Sequence, residues 1–402
     1  MSPSRLALAD LAATPNALAP HYRRFRVAER WLLSGHSHQA WPDVAREALL
    51  ECFDDAALAV DGKWEKALER AERVREGYRN LLGDPGGAIA LGTATHDLLI
   101  KLLSALPWHE KRRIVTTAGE FHAMRRQFAA FESAGFEIVR ESVADVETLA
   151  ERLAARLDDR TLVVFASAVL FETARRVPGL DRLASEADRL GVPLVVDVYH
   201  VLNVFPFDLA RQGLAGAYVV GGGYKYLQLG EGNAFLRLPP SFDGHPVLTG
   251  WFAEFEAMSA PKTPRDLAWG PPASRLAGAT YDPASHYRAA RVFDFFAEHG
   301  LTPDLLRASY RHQVGVLADA FDALDLSPEI LDRDRRTALD RIGGFLSLTG
   351  ARAGEIQRRL LERGVFSDSR GSYLRLGPAP YLADLQLCEA MVVLGDVARQ
   401  VG

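Results

Sequence analysis

The residues that could do chemistry follow two apolar, β-branched runs. Asp197 and His200 come at the end of VPLVVDVYH, and Lys225 follows AYVVGGG, flanked by Tyr224 and Tyr226. Ligands of an open α/β sheet bind outside the carboxyl ends of its strands, so an acid and a lysine at two such ends can face one volume. A lysine amine forms Schiff bases, and a carboxylate keeps a pyridine nitrogen protonated. The pair therefore predicts a pyridoxal phosphate (PLP) site.

Taken singly, each of these residues has a plainer interpretation. A lone aspartate at a strand end usually caps the next segment or faces water, and a lone lysine usually extends to solvent. Only the pairing of Asp197 with Lys225 favours the coenzyme.

The phosphate of such a coenzyme needs an anion site, and LGTATHDLLIKLLSAL offers one. Thr95 is predicted as the N-cap of the helix in this segment, so Ala94, Thr95 and His96 can present backbone N–H groups and a hydroxyl. A simple helix cap is the alternative. Phe121, after RRIVTT, is placed to stack on the coenzyme ring, although a core position is the more frequent explanation for a single phenylalanine.

The elements that position these residues alternate along the chain. Two amphipathic helices are predicted within residues 43–82, and a helix follows TLVVFASA at PGLDRLASEADRLG. Short β-rich runs separate such segments, namely AIALG, RRIVTT, FEIVRE, TLVVFASA, VPLVVDV and AYVVGG. This alternation predicts an α/β fold, with helices on both faces of a mostly parallel sheet.

The composition changes to proline-rich loops beyond residue 240, before a predicted helix at about 283–299 and an α+β section. We therefore predict three parts: an N-terminal segment, 1–50, that packs on the small domain; a large PLP-binding α/β domain, 51–285; and a small C-terminal α+β domain, 286–402.

Composition excludes several other classes of protein. The 402 residues are 48% hydrophobic with a net charge of −5 and no basic stripe, which argues against a nucleic-acid partner. Cys52 and Cys388 alone cannot build a disulfide framework or a cysteine metal site, and no ligand cluster accompanies His36 and His38. The longest apolar run, LVVFASAVLF, is too short to span a membrane. We expect a cytoplasmic protein without a metal.

From about residue 31 to 385 the chain resembles kynureninase, in the class V aminotransferase superfamily of fold-type I PLP enzymes. The specific motifs are the D-x-x-H at Asp197 and His200, the Y-K-Y around Lys225, the GWF at 250–252 and VFSDSRGSYLRLGPAPY near the C-terminus. WLLSGHSHQAWP and FASAVLFET agree more weakly. In this order the motifs are strong together, although each is weak alone.

The resemblance implies a role for each matching position. Lys225, Tyr224 and Asp197 would be catalytic, with Lys225 bound to PLP, Asp197 on its ring nitrogen and Tyr224 aiding proton transfer. Around the coenzyme the resemblance places His200, Phe121 and Ser167 near the ring, and Ala94, Thr95, Tyr224, Trp251 and Thr280 near the phosphate. It also implies a homodimer whose partner subunit supplies Trp251 and Thr280.

The substrate side would hold Arg375, His36 and Ser37. A guanidinium suits a bidentate contact with the substrate α-carboxylate, which is the role implied for Arg375. The implied reaction is hydrolysis of the Cβ–Cγ bond of kynurenine or a substituted kynurenine to an anthranilate and L-alanine, a step of tryptophan degradation.

The chain departs from the family pattern in the coenzyme and substrate regions. Where the family has F-P-[ST]-D, this chain has FHAM at 121–124, which removes a carboxylate near the ring. Where the family has N-S-L and G-T-P-P, this chain has HSH at 36–38 and ATYD at 279–282. Another class V reaction, such as transamination or C–S or C–C lysis of a different amino acid, is therefore an alternative, as is a non-catalytic homologue. Cysteine desulfurase is disfavoured because 367–371 contains no cysteine and Cys388 is expected in a helix core.

Overall fold

The structure is a computed structural model that describes residues 6–257, 263, 265 and 267–402. Its α-helices are α1 (Leu8–Ala12), α2 (Val44–Ala59), α3 (Lys63–Leu82), α4 (Thr95–Ala105), α5 (His122–Ser133), α6 (Leu149–Ala154), α7 (Leu180–Arg189), α8 (Pro272–Arg275), α9 (Ala284–Glu298), α10 (Pro303–Ala323), α11 (Ala353–Glu362) and α12 (Asp384–Val401). Its strands are β1 (Trp31–Leu32), β2 (Ala88–Gly92), β3 (Arg113–Thr117), β4 (Glu137–Glu141), β5 (Thr161–Ser167), β6 (Leu194–Asp197), β7 (Tyr218–Gly222), β8 (Ala234–Leu238), β9 (Asp332–Arg333), β10 (Leu346–Thr349), β11 (Val365–Phe366), β12 (Asp368–Arg370) and β13 (Tyr373–Leu376).

A seven-stranded mixed sheet forms the centre of the large domain, in the order β2-β8-β7-β6-β5-β3-β4. Strands β3 to β7 are parallel to one another, whereas β8 is antiparallel to both β7 and β2. Every residue of β5, β7 and β8 is buried, as expected for strands covered on both faces. The predicted α/β architecture is therefore observed.

Helix boundaries follow the local sequence closely. The two helices predicted within 43–82 are α2 and α3, and α3 ends where Gly83 adopts a φ of 62°. The left-handed conformation just after a helix costs less energy for glycine than for other residues, because glycine lacks a Cβ. The helix predicted at about 283–299 is α9.

The C-terminal part contains a four-stranded antiparallel sheet, β12-β13-β10-β9, with α10, α11 and α12. The N-terminal β1 pairs in parallel with β11, which ties the first residues to this part of the chain. The division into domains stays a prediction; its boundary at residue 50 falls inside α2. The prediction of a core position for Cys388 is wrong, because this residue of α12 is exposed.

Candidate active site

The register of the central sheet gathers the predicted residues at one edge. Ser167 ends β5 directly beside Asp197, which ends β6. On the other side of the sheet, Ala234 of β8 pairs with both Gly92 and Gly222, the last residues of β2 and β7. The start of α4 and the loop that carries Lys225 therefore share the edge where Asp197 lies.

Lys225 is buried among aromatic rings. Its Nζ lies 4.6 Å from the ring centroid of Tyr199, 5.3 Å from that of Phe121 and 5.9 Å from that of Tyr224. Burial lowers the pKa of this amine from 10.5 to about 7, against the opposing attraction of Asp197. A large fraction of Lys225 is therefore neutral, and nucleophilic, near neutral pH.

His200 contacts the amine directly. Its Nε2 lies 2.8 Å from Nζ of Lys225, and its Nδ1 lies 3.1 Å from the hydroxyl of Tyr226. Burial, with the nearby charge of Lys225, holds the pKa of His200 well below its usual value, so the ring is neutral. A neutral imidazole can accept a hydrogen bond from the lysine amine at Nε2. The resemblance implies a place near the coenzyme ring for His200, and the contact with the amine is additional.

The charges of Asp197 and Lys225 interact, and each shifts the pKa of the other. The two side chains therefore face the same volume. One carboxylate oxygen of Asp197 accepts the backbone N–H of Tyr199 at 2.7 Å. Burial raises the pKa of Asp197, and this hydrogen bond and the positive charge of Lys225 lower it. A partly buried carboxylate in this position is suited to bind a protonated ring nitrogen.

The predicted phosphate site differs from the structure in one detail. Ala94, not Thr95, is the N-cap of α4, and no side chain caps the helix. The prediction of a Thr95 cap is wrong because the chain is already helical at Thr95. The first N–H groups of an α-helix have no partner within the helix, so the backbone at 95–97 remains a suitable anion site.

Phe121, expected against the coenzyme ring, is the residue before α5. Its ring packs edge to face on that of Phe171, with centroids 5.4 Å apart. Together with its distance to Lys225, this orientation places Phe121 in the site. From the sequence alone, a core position is the more frequent explanation for a single phenylalanine.

Arg375, predicted to bind a substrate carboxylate, is already paired. Its Nη2 makes a short ion pair with Asp368, and its Nη1 donates to the carbonyl of Phe171 at 2.5 Å. Its Nε is buried without an acceptor in the described part of the chain. A substrate carboxylate would therefore meet a guanidinium whose charge Asp368 partly neutralises, a feature that the sequence did not reveal.

His36 lies near Asp368 and Arg375, whereas Ser37 points elsewhere; their role in substrate binding stays a prediction. His36 is buried, with Nε2 3.7 Å from Asp368 and its ring 4.7 Å from that of Phe345. Burial lowers the pKa of His36 to about 4, so it is neutral at physiological pH. The hydroxyl of Ser37 instead lies 3.1 Å from Nδ1 of His38, an exposed residue.

Three further predicted residues lie in two different places. Tyr224 packs against His38 with ring centroids 4.8 Å apart. Trp251 and Thr280 line a cavity of about 880 Å³ together with Thr93 near α4. The structure contains one chain, and the assignment of Trp251 and Thr280 to a partner's site stays a prediction.

Glu120 belongs to the site and was missed. Its carboxylate accepts hydrogen bonds from Thr117 and Ser167, and the negative charge of Asp197 acts on it. In the sequence AGEFHAM it precedes the candidate Phe121, yet nothing in that spacing distinguishes an inward-facing glutamate from a solvated one.

The described residues contain no cluster of histidine, cysteine or acidic side chains that could hold a metal ion. Among the same residues, no helix combines the length and apolar composition that crossing a membrane requires. What the described residues do bring to the strand edge is a buried amine with a lowered pKa, a carboxylate and the start of α4.

Comparison with known proteins identifies the fold. No protein-family model matches the chain. A curated relative, an uncharacterized aminotransferase, YcbU, from Bacillus subtilis (strain 168), is 23% identical over 355 residues, which cover 87% of this chain and 90% of the relative.

Several solved structures share the fold of this chain. A mutant of C-DES with glycine covalently linked to its PLP cofactor has a TM-score of 0.81 at 16% identity, covering 94% of this chain and 98% of that one. The cystine C–S lyase C-DES with its product cysteine persulfide has a TM-score of 0.80 at 16% identity (92% and 98%), and a NifS-like protein has 0.74 at 15% (92% and 100%). The predicted fold class, PLP-dependent fold type I, is confirmed.

Proposed function

We propose that this chain is a PLP-dependent enzyme that hydrolyses the Cβ–Cγ bond of kynurenine or a substituted kynurenine, giving an anthranilate and L-alanine. The observation that carries the proposal is the buried amine of Lys225, at the strand edge where Asp197 and the start of α4 also lie. C-DES, which shares the fold, carries PLP.

The residues present fit the coenzyme. Lys225 would hold it covalently, Asp197 would keep its ring nitrogen protonated and the first N–H groups of α4 would bind its phosphate. When bound, PLP supplies an electron-withdrawing ring that stabilises negative charge on an amino-acid substrate. His200 accepts a hydrogen bond from the Lys225 amine and so orients it, and Tyr224, beside the amine, is the candidate for proton transfer to the substrate.

The substrate side favours an amino acid with an aromatic side chain. The guanidinium carbon of Arg375 lies 5.7 Å from the ring centroid of Phe171 and 5.8 Å from that of Phe345, and His36 packs on Phe345. Rings around the carboxylate-binding arginine can stack on a substrate ring. Asp368, ionised because Arg375 and His36 lower its pKa, can accept a hydrogen bond from an amino group on that ring.

A homodimer is part of the proposal. Leu50, Phe53 and Leu58 expose 47%, 72% and 83% of their surface on α2, and Trp251 and Phe255 are also exposed. Apolar surface of this extent supports a protein partner, and the resemblance makes that partner a second copy. Light scattering on the purified protein would give twice the chain mass of 44.2 kDa.

Incubation of the purified protein with kynurenine and its ring-substituted forms tests the reaction. Release of fluorescent anthranilate with equimolar alanine is the expected result, and Lys225→Ala abolishes both the products and the visible absorption of the bound coenzyme. Absorption present with no product from any kynurenine would retain the coenzyme and refute the substrate class.

The second candidate is a C–S lyase or an aminotransferase acting on another amino acid. The fold similarity to the lyase C-DES and the sequence similarity to an uncharacterized aminotransferase favour it. Pyruvate or persulfide from cystine would identify a lyase, whereas a product that appears only when a keto acid is added would identify transamination. A cysteine desulfurase is not supported, since β12 and its flanking residues contain no cysteine.

A further inference from the structure

Glu120 is a buried carboxylate between β3 and α5, with only 3% of its surface exposed. One oxygen accepts the hydroxyl of Thr117 at 2.6 Å and the backbone N–H of Ser167 at 3.1 Å. The other accepts the hydroxyl of Ser167 at 2.6 Å. Three hydrogen bonds thus fix its position, and two of them come from a residue of the neighbouring strand β5.

This carboxylate lies next to the residue predicted to bind the ring nitrogen. Ser167 pairs in register with Asp197 of β6, and Phe121, expected against the coenzyme ring, follows Glu120 directly. No ion pair joins Glu120 to a basic side chain within the described ranges. A buried carboxylate with hydrogen bonds but no cation is costly to fold, so a purely structural brace would be better made by a neutral residue.

Burial and the negative charge of Asp197 raise the pKa of Glu120 to about 7, although the bonds from Ser167 and Thr117 lower it. The groups that face it are Thr117 from β3, Ser167 from β5 and Asp197 from β6. Its charge therefore changes near neutral pH, beside the site of a coenzyme whose ring must stay protonated.

We propose that Glu120 is a positioning residue of the coenzyme site, which fixes Ser167 at the ring and adds a negative charge behind Asp197. The inference rests on the proposed binding of PLP. An ionised Glu120 makes removal of the proton shared by Asp197 and the ring nitrogen less favourable, because both carboxylates attract it. Protonation of Glu120 removes that support while leaving Asp197 in place.

Among the described residues no hydrogen bond or ion pair joins Glu120 or Ser167 to Arg375, the residue proposed to bind the substrate carboxylate. Glu120 also restores, from a different position, a second acid near the ring that the sequence lacks at Met124. The charge and the fixed geometry can be separated experimentally, because Ser167 and Thr117 can be changed one at a time.

The test follows the visible absorption of the coenzyme-bound protein between about pH 6 and about pH 9, and the dissociation constant for PLP. We expect a spectral transition near neutral pH in the natural protein and its loss in Glu120→Gln, with coenzyme affinity about tenfold weaker, equivalent to about 1.4 kcal/mol. Glu137→Gln, at the amino end of β4, is the matched control and should leave both unchanged.

Ser167→Ala and Thr117→Val each remove a hydrogen bond to the carboxylate, which destabilises its charged form. Both should move the transition to higher pH, and they keep the proposal testable if Glu120→Gln does not fold. Identical spectra and affinity in Glu120→Gln, or a transition that does not move in these two variants, would overturn it. Absence of any coenzyme band in the natural protein would instead refute the proposed function.

Discussion

The lowered pKa of Lys225 predicts how the stability of the coenzyme-free protein depends on pH. An ordinary lysine has a pKa of 10.5, and burial brings that of Lys225 to about 7. At about 1.36 kcal/mol for each pH unit, the charged amine costs the folded state about 5 kcal/mol. Below about pH 7 the folded and unfolded states are both charged and the cost is complete. Above it the folded amine is neutral, so the cost decreases until the pH reaches 10.5.

Between these two values the unfolded chain binds more protons, so the free energy of unfolding rises with pH. Lys225→Met removes the charge and with it this contribution. Urea unfolding at about pH 7 and about pH 9 should show the natural protein gaining about 2 kcal/mol relative to Lys225→Met, because the folded amine is still half protonated at about pH 7.

Lys111→Met, which changes a partly exposed lysine before β3, is the control and should show the same pH dependence as the natural protein. Parallel curves for the natural protein and Lys225→Met would refute the reasoning, because they would mean that the buried amine titrates alike in both states.

Other predictions concern the substrate side and the aromatic wall. Asp368→Asn leaves Arg375 buried without its countercharge, so urea unfolding should show a free energy of unfolding lower by about 3–5 kcal/mol. The double variant Asp368→Asn/Arg375→Met should lose less stability than the two single variants added together. Strict additivity would contradict the coupling between the two residues. Arg375→Ala should raise KM for kynurenine about 100-fold or more with a smaller change in kcat, as expected for loss of a charged carboxylate contact; an unchanged KM would remove the residue from the site. Gly222→Ala would bring a Cβ within 2.2 Å of the Tyr199 hydroxyl, so it should displace that ring and weaken PLP binding, whereas Gly216→Ala, which meets no atom within 4 Å, should not.

Much of the site was predictable because its residues stand at strand ends. Asp197, Ser167 and Lys225 follow strands that the apolar runs predict well, and the carboxyl ends of parallel strands must meet at one edge. The N-cap predicted for α4, Thr95, lies one residue after the observed one, Ala94, since propensity does not fix where the first helical residue falls.

The contacts between distant segments were not predictable in this way. The antiparallel pairing of β12 with β13 brings Asp368 into an ion pair with Arg375. His36, which is distant in sequence, also lies close to Asp368. The resemblance implies a shared substrate role for His36 and Ser37, but the loop turns the hydroxyl of Ser37 to His38. Side-chain direction in a loop depends on packing that local sequence does not encode.

The amino-acid sequence by itself determined the order of strands and helices, the fold class and the candidate lysine and aspartate, because periodicity and strand-end position are local properties. Only the tertiary structure decided the protonation of the site. Burial brings the pKa of Lys225 down to about 7 and raises that of Glu120 to about 7, and burial depends on which distant side chains exclude water from each group.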